Sequence, residues 1–174
     1  RELEHQLKDS GATAIVILEN FAHTLADVVD HTNVQHVVMA SMGDLLGFWF
    51  GKWITFAVRH LAKMVPAYEL PLTNGRKVVS FKKALALGER RTLAPSTATL
   101  DSIAFLQYTG GTTGLSKGAV LTHRNIVAAT LQAEAWFTPA LAKIGDVTKA
   151  NSIAALPLYH IFALTLCLLA IRQG

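Results

Sequence analysis

The run Tyr108-Thr109-Gly110-Gly111-Thr112-Thr113-Gly114-Leu115-Ser116-Lys117-Gly118 concentrates residue types that bind anions. Its four glycines allow the backbone to approach a ligand closely and to take positive φ, so that successive N–H groups can converge on one negative charge. Thr109, Thr112, Thr113 and Ser116 add neutral hydroxyl donors, and Lys117 adds a mobile positive charge. This set suits a polyphosphate. The Walker spacing, G-x-x-x-x-G-K-[ST], is not met, because Ser116 precedes the lysine and Gly118 follows it. Ser116 also lacks the glycine-serine-glycine elbow of a hydrolase nucleophile. Apolar segments flank the run at Ser102–Leu106 and Ala119–Leu121, which places the loop between two strands or within a hairpin.

A second candidate is His160, which follows the predicted strand Ser152–Leu156 and Pro157. In open α/β sheets, ligands bind outside the carboxyl ends of strands, where this histidine is expected. His123 and Arg124 stand just after the second flanking strand and read as helix-capping, solvated residues. His5, His23, His31, His36 and His60 show neither the i, i+4 nor the cysteine-paired spacing of a metal site, so no metal ligand is predicted in the chain. The single cysteine, Cys167, excludes an internal disulfide and reads as a packed residue among leucines.

The elements that must hold these residues alternate between helical and strand-like periodicity. Glu2–Lys8 reads as a helix with Gly11 at its C′ position, Thr13–Leu18 as a strand, Phe21–Val29 as a helix and Gln35–Ala40 as a strand. Pro66 through Gly75 and Arg90–Ser96 read as loops. Asn125–Phe137 is a predicted helix capped by Thr122, and Leu158–Ile171 another. Such alternation implies an α/β fold of stacked βα units with a mainly parallel sheet, 1–174 forming a single α/β fragment.

The 174 residues are 51% hydrophobic and only 16% charged, which implies much buried surface. A net charge of +4 without a Lys/Arg cluster gives no nucleic-acid footprint. Ala150–Ile171 is interrupted by Asn151, Ser152, Pro157 and His160 and reads as a buried strand and helix rather than a membrane span. Leu45–Val65 is different. At about 100° per residue Lys52, Arg59 and Lys63 fall on one stripe, with Phe50, Ile54 and Leu61 opposite, which reads either as an ordinary surface helix packed on the sheet or on another part of the full protein, or as a peripheral membrane contact. No signal or transit peptide pattern stands at the start, and both ends read as cuts through a larger protein.

Tyr108–Gly118 resembles the phosphate loop of the adenylate-forming superfamily, which includes acyl-CoA synthetases, luciferases and peptide-synthetase adenylation domains. Many members carry Ser where this chain has Gly110 and Pro where it has Ser116. Leu121-Thr122-His123-Arg124-Asn125 and Leu156-Pro157-Leu158-Tyr159-His160-Ile161-Phe162-Ala163-Leu164-Thr165 are similar to bacterial long-chain fatty acid–CoA ligases, as are Arg1–Leu7 and Asn20–Leu25. Leu45–Leu93 is the least diagnostic stretch. The resemblance implies a piece of the large amino-terminal AMP-binding domain, without the adenine-binding loop, the hinge and the carboxy-terminal domain. It implies that Tyr108, Thr109, Gly110, Gly111, Thr112, Thr113, Gly114, Leu115, Ser116, Lys117, Gly118 and Ala119 bind the nucleotide. Lys117, Thr112 and His160 are the implied catalytic residues, with Phe162 and Thr165 along the acyl tunnel.

The implied substrates are a fatty acid, ATP and coenzyme A, with Mg2+ on phosphate oxygens and a glutamate outside this chain. The resemblance further implies a cytoplasmic enzyme, peripheral on the inner face of the cell membrane, and a homodimer of the full-length protein. The fragment alone is expected to be inactive. Two alternatives stand beside this reading: an aryl or amino-acid adenylating ligase, and an inert folded piece with weak phosphate or membrane-surface binding.

Overall fold

A computed structural model of the chain describes residues 1–110, 114–143, 153, 156–157 and 160–173. The chain forms two compact units, Arg1–Pro95 and Ser96–Gly174.

The first unit opens with α1 (Glu2–Asp9) and β1 (Ala14–Leu18). Gly11, at φ +64°, makes the reversal between them. Its N–H donates to the Lys8 carbonyl and the Ala12 N–H to the Leu7 carbonyl, the two bonds of a Schellman stop. A short 3₁₀ turn (Glu19–Phe21), α2 (Ala22–Ala26) and a second 3₁₀ turn (Val29–His31) return the chain to β2 (His36–Ala40). Next come α3 (Phe48–Phe56), prolonged by a π-helical turn (Ala57–Leu61), then β3 (Lys77–Ser80) and α4 (Phe81–Gly88). The strands pair in parallel in the order β1-β2-β3, as the alternating pattern implied. Neither β3 nor α4 was expected from the sequence.

Register explains the core. Ile15 pairs with Val37 and Ile17 with Met39, and these four join Leu7, Leu25, Val29 and Val34 in one apolar cluster. Val16, on the opposite face of β1, is 64% exposed, so within this unit the strand is only half covered.

Two polar anchors brace the unit. The Arg76 side chain is buried and donates to the backbone carbonyls of Val29, Val34 and Pro71 and to the Asp30 carboxylate. The Thr73 hydroxyl and then Arg76 hold the Asp30 carboxyl below its ordinary range. At the carboxyl end of β1, buried Glu19 accepts from Arg59 of the π-helical turn, with Nε at 2.9 Å.

The second unit comprises an antiparallel hairpin, β4 (Ile103–Thr109) and β5 (Lys117–Thr122), followed by α5 (His123–Leu141) and α6 (Ile161–Gln173). A register shift between Ile103 and Phe105 marks a bulge early in β4. Thr122 caps α5 as expected, and reciprocally: its hydroxyl accepts from the Asn125 N–H at 3.3 Å, while Asn125 Oδ1 accepts from the Thr122 N–H at 2.9 Å. The two helices are in contact, and Arg172 donates to Glu134 at 2.8 Å. Leu158 lies outside the described residues, as does most of the predicted strand Ser152–Leu156.

Candidate functional site

The glycine-rich run is the connection of the β4–β5 hairpin. Its neck is the last registered pair, Thr109 opposite Lys117, with Tyr108 opposite Gly118 one step below. β4 supplies Tyr108 and Thr109, and β5 supplies Lys117, Gly118 and Ala119. Antiparallel pairing therefore brings residues from both ends of the run together. The positive charge that the sequence placed eight positions after Thr109 stands directly across from it.

Why Gly118 must be glycine is visible in the pair below the neck. A Cβ there would lie 3.0–3.3 Å from three carbons of the Tyr108 ring, closer than ordinary packing allows. The ring thus crosses the glycine and closes the base of the loop. Around Gly110 and Gly114 the situation is opposite, since an added Cβ would meet nothing within 4 Å. Positive φ, which the glycines were expected to supply, occurs among the described glycines at Gly11, Gly47 and Gly75, outside this loop. What the described loop glycines provide is close approach at Gly118 and open space at Gly110 and Gly114.

Thr109, Gly110, Gly114, Leu115 and Lys117 are exposed, and Ser116 is buried at the turn into β5. Exposure leaves the Lys117 ammonium open to water and to an anion. Gly111, Thr112 and Thr113 lie outside the described residues.

The base of the hairpin is tied to the helix that follows. The His123 N–H donates to the Ser102 carbonyl at 3.0 Å and the Arg124 N–H to the Leu100 carbonyl at 2.8 Å. The Arg124 guanidinium donates twice to Asp101 Oδ1, at 2.9 and 3.0 Å. These contacts agree with a capping and surface role for His123 and Arg124. Asp101 and Asn125 were not picked out as positioning residues. The spacing Thr122-x-x-Asn125 was a readable signal for the second, but nothing local pairs Asp101 with Arg124.

His160 stands at the amino end of α6, where its N–H donates to the Pro157 carbonyl and its carbonyl accepts from the Leu164 N–H. Its side chain is exposed. Phe162 on the first turn is 59% exposed, and the Thr165 hydroxyl donates back to the Ile161 carbonyl at 2.9 Å. The hairpin gathers Tyr108, Thr109, Gly110, Gly114–Lys117, Gly118 and Ala119. His160 belongs to a separate element of the same unit. Among the described residues, no group of three or more His, Cys, Asp or Glu side chains is arranged to hold a metal ion.

The chain is similar to known proteins over its whole length. It is 49% identical over 175 residues to a long-chain fatty acid–CoA ligase of Salmonella typhimurium, and 50% identical over 175 residues to one of Escherichia coli O157:H7. Each match takes in 100% of this chain and 30% of the relative, so the chain spans less than a third of the length of these curated proteins. Among solved structures, the adenylation domain of a carboxylate reductase from Mycobacterium chelonae superposes with a TM-score of 0.58 at 20% identity, over 99% of this chain and 24% of that one. That likeness supports the α/β fold of an adenylation domain. The family of AMP-binding enzymes matches residues 1–174, and this chain belongs to it.

Proposed function

We propose that the protein carrying this chain is an AMP-forming ligase that joins long-chain fatty acids to coenzyme A, and that both units belong to its AMP-binding domain. The observation that carries the reading is the neck of the hairpin, where Lys117 stands opposite Thr109 in the strand register, with open space at Gly110 and Gly114. The near-half identity to long-chain fatty acid–CoA ligases supports the choice of acid and thiol.

A carboxylate is a poor electrophile at neutral pH, and the reaction overcomes this in two steps. An oxygen of the fatty carboxylate attacks the α-phosphorus of ATP. The bond from that phosphorus to the bridging oxygen breaks, and pyrophosphate leaves with the electron pair. The coenzyme A thiol then loses its proton, its sulfur attacks the acyl carbonyl carbon, and AMP departs. Negative charge builds on the departing pyrophosphate, and a prepositioned donor set stabilises charge that develops in the transition state. In this chain Lys117 supplies the cation, while Thr109, Thr112, Thr113 and the loop amides supply neutral donors. A charge-assisted contact of this type is worth about 1.5–3 kcal/mol. His160, at the start of α6, orients the acyl carboxylate. Magnesium bound with ATP would offset part of the triphosphate charge, and no described residue of this chain is assigned to hold it.

The enzyme acts in the cytoplasm, at the inner face of the cell membrane, and the 174-residue chain alone does not turn over. The test is to incubate the intact protein and the isolated chain with palmitate, ATP and coenzyme A. The expected outcome is palmitoyl-CoA, AMP and pyrophosphate in equal amounts from the intact protein, and none from the isolated chain. Pyrophosphate release with an aryl or amino acid, and with no fatty acid, would replace the proposed acid by another class.

A further inference from the structure

Helix α3 turns its apolar stripe outward. Trp49, Trp53 and Phe56 stand at i, i+4 and i+7, one face of a helix, and are 81%, 59% and 52% exposed. Phe48 and Phe50 flank them and are also exposed. A surface helix ordinarily buries such a stripe. Here the inward side carries Gly51, whose backbone rests against Gly43 so closely that a Cβ on either glycine would collide with the carbonyl of the other. At the far end Arg59 is bound to buried Glu19, and the Asn20 side-chain amide donates to the Met64 carbonyl at 3.0 Å. The helix is thus held from both ends with its aromatic rings facing solvent.

The cations choose the partner. Lys52 lies within the stripe, 4.1 Å from the centre of the Phe48 ring, the His60 ring meets Phe56 at a tilt of 39°, and Lys63 is exposed. No acidic residue occurs from Leu45 to Val65. A surface that takes up aromatic rings and meets lysines with negative charge is an anionic bilayer. No helix among the described residues is long and apolar enough to cross a membrane, so the fitting arrangement is one that lies in the interface. We propose that α3 is the lipid-contacting element of the protein, with Trp49, Trp53 and Phe56 inserted among acyl chains and Lys52 and Lys63 on headgroup phosphates. This deepens the proposed location at the membrane's inner face and rests on it. Arg59, expected from the sequence to share the cationic stripe, is instead the anchor to Glu19.

The test is sedimentation of the intact protein with vesicles of phosphatidylglycerol and phosphatidylcholine in equal parts. Trp49→Ser/Trp53→Ser weakens binding at least about tenfold. Lys52→Gln/Lys63→Gln weakens it roughly thirtyfold at low salt, the factor for two cations at about 1 kcal/mol each. Both variants retain the wild-type melting temperature and the wild-type rate of pyrophosphate release with soluble octanoate. Wild-type vesicle binding by both variants overturns the proposal. So does a large fall in melting temperature in both, which would mean that the stripe is covered by protein. A change from dimer to monomer in the Trp49/Trp53 variant, with vesicle binding retained, overturns it in favour of a second copy. If the wild type binds and the variants do not, the inference stands even where no acid supports pyrophosphate release, which separates it from the catalytic reading.

Discussion

The two units bury their side chains differently. Among the described residues, the first unit holds Leu7, Ala22, Leu25, Val28, Val29, Val34 and Val37 in its interior, while the second buries only Ala163 and Leu169 among its hydrophobics. In the second, Ile103, Val120, Trp136 and Phe162 are 57–83% exposed. The hairpin proposed to cradle phosphate therefore stands on the unit with the weaker core of its own. Its local geometry comes from strand register, a reciprocal cap and an ion pair, which short-range chemistry can set. The first unit is a packed βα layer whose carboxyl edge carries the Glu19–Arg59 anchor. The packed core and the proposed site are thus largely separated along the chain.

That separation can be broken most severely at Arg76. Replacing it by Ala removes charge-assisted bonds to three backbone carbonyls and to Asp30, and about 3 kcal/mol or more of unfolding free energy should disappear from the first unit. Denaturant unfolding of the intact protein measures this, and a loss below about 1 kcal/mol would remove Arg76 as a brace. A paired comparison sharpens the contrast. Leu25→Ala, at a position with 0% exposure, is expected to cost about 2–5 kcal/mol, and Leu131→Ala, at 43% exposure on α5, under about 1 kcal/mol. Equal costs would mean that the second unit is as well packed as the first. Gly118→Val acts on the site and less on the fold. Its branched side chain meets the Tyr108 ring, costs about 1–3 kcal/mol and should weaken ATP binding, read by titration calorimetry. Unchanged binding would mean that the ring–glycine contact does not shape the loop.

The residues show which parts of this organisation were legible in the chain itself. β1 and β2 were, because Ile15–Leu18 and Val37–Met39 are apolar, largely β-branched runs bounded by turn residues. The loop and its cap were too, since hairpin closure and Thr122–Asn125 capping act over a few positions. β3 escaped because Lys77–Ser80 is only four residues long and follows Asn74-Gly75, a signal that reads as the end of a loop. α4 escaped with it, although Ser80 caps it by accepting from the Lys83 N–H at 3.4 Å. Which side of α3 faces inward was not legible, for a physical reason. A helical wheel weighs side chains, and the decisive contact joins Gly43 to Gly51, which have none. Arg59 was misplaced because its partner, Glu19, lies 40 residues earlier.

The most direct test of the central claim is the rate of fatty-acid-dependent pyrophosphate release by intact Lys117→Ala protein. Lys117 is exposed on a strand end, so its loss should leave the melting temperature unchanged. The rate should fall about ten- to a hundredfold, the factor that follows from one charge-assisted phosphate contact. A variant that folds normally and releases pyrophosphate at the wild-type rate would contradict the assignment of this hairpin as the phosphate cradle.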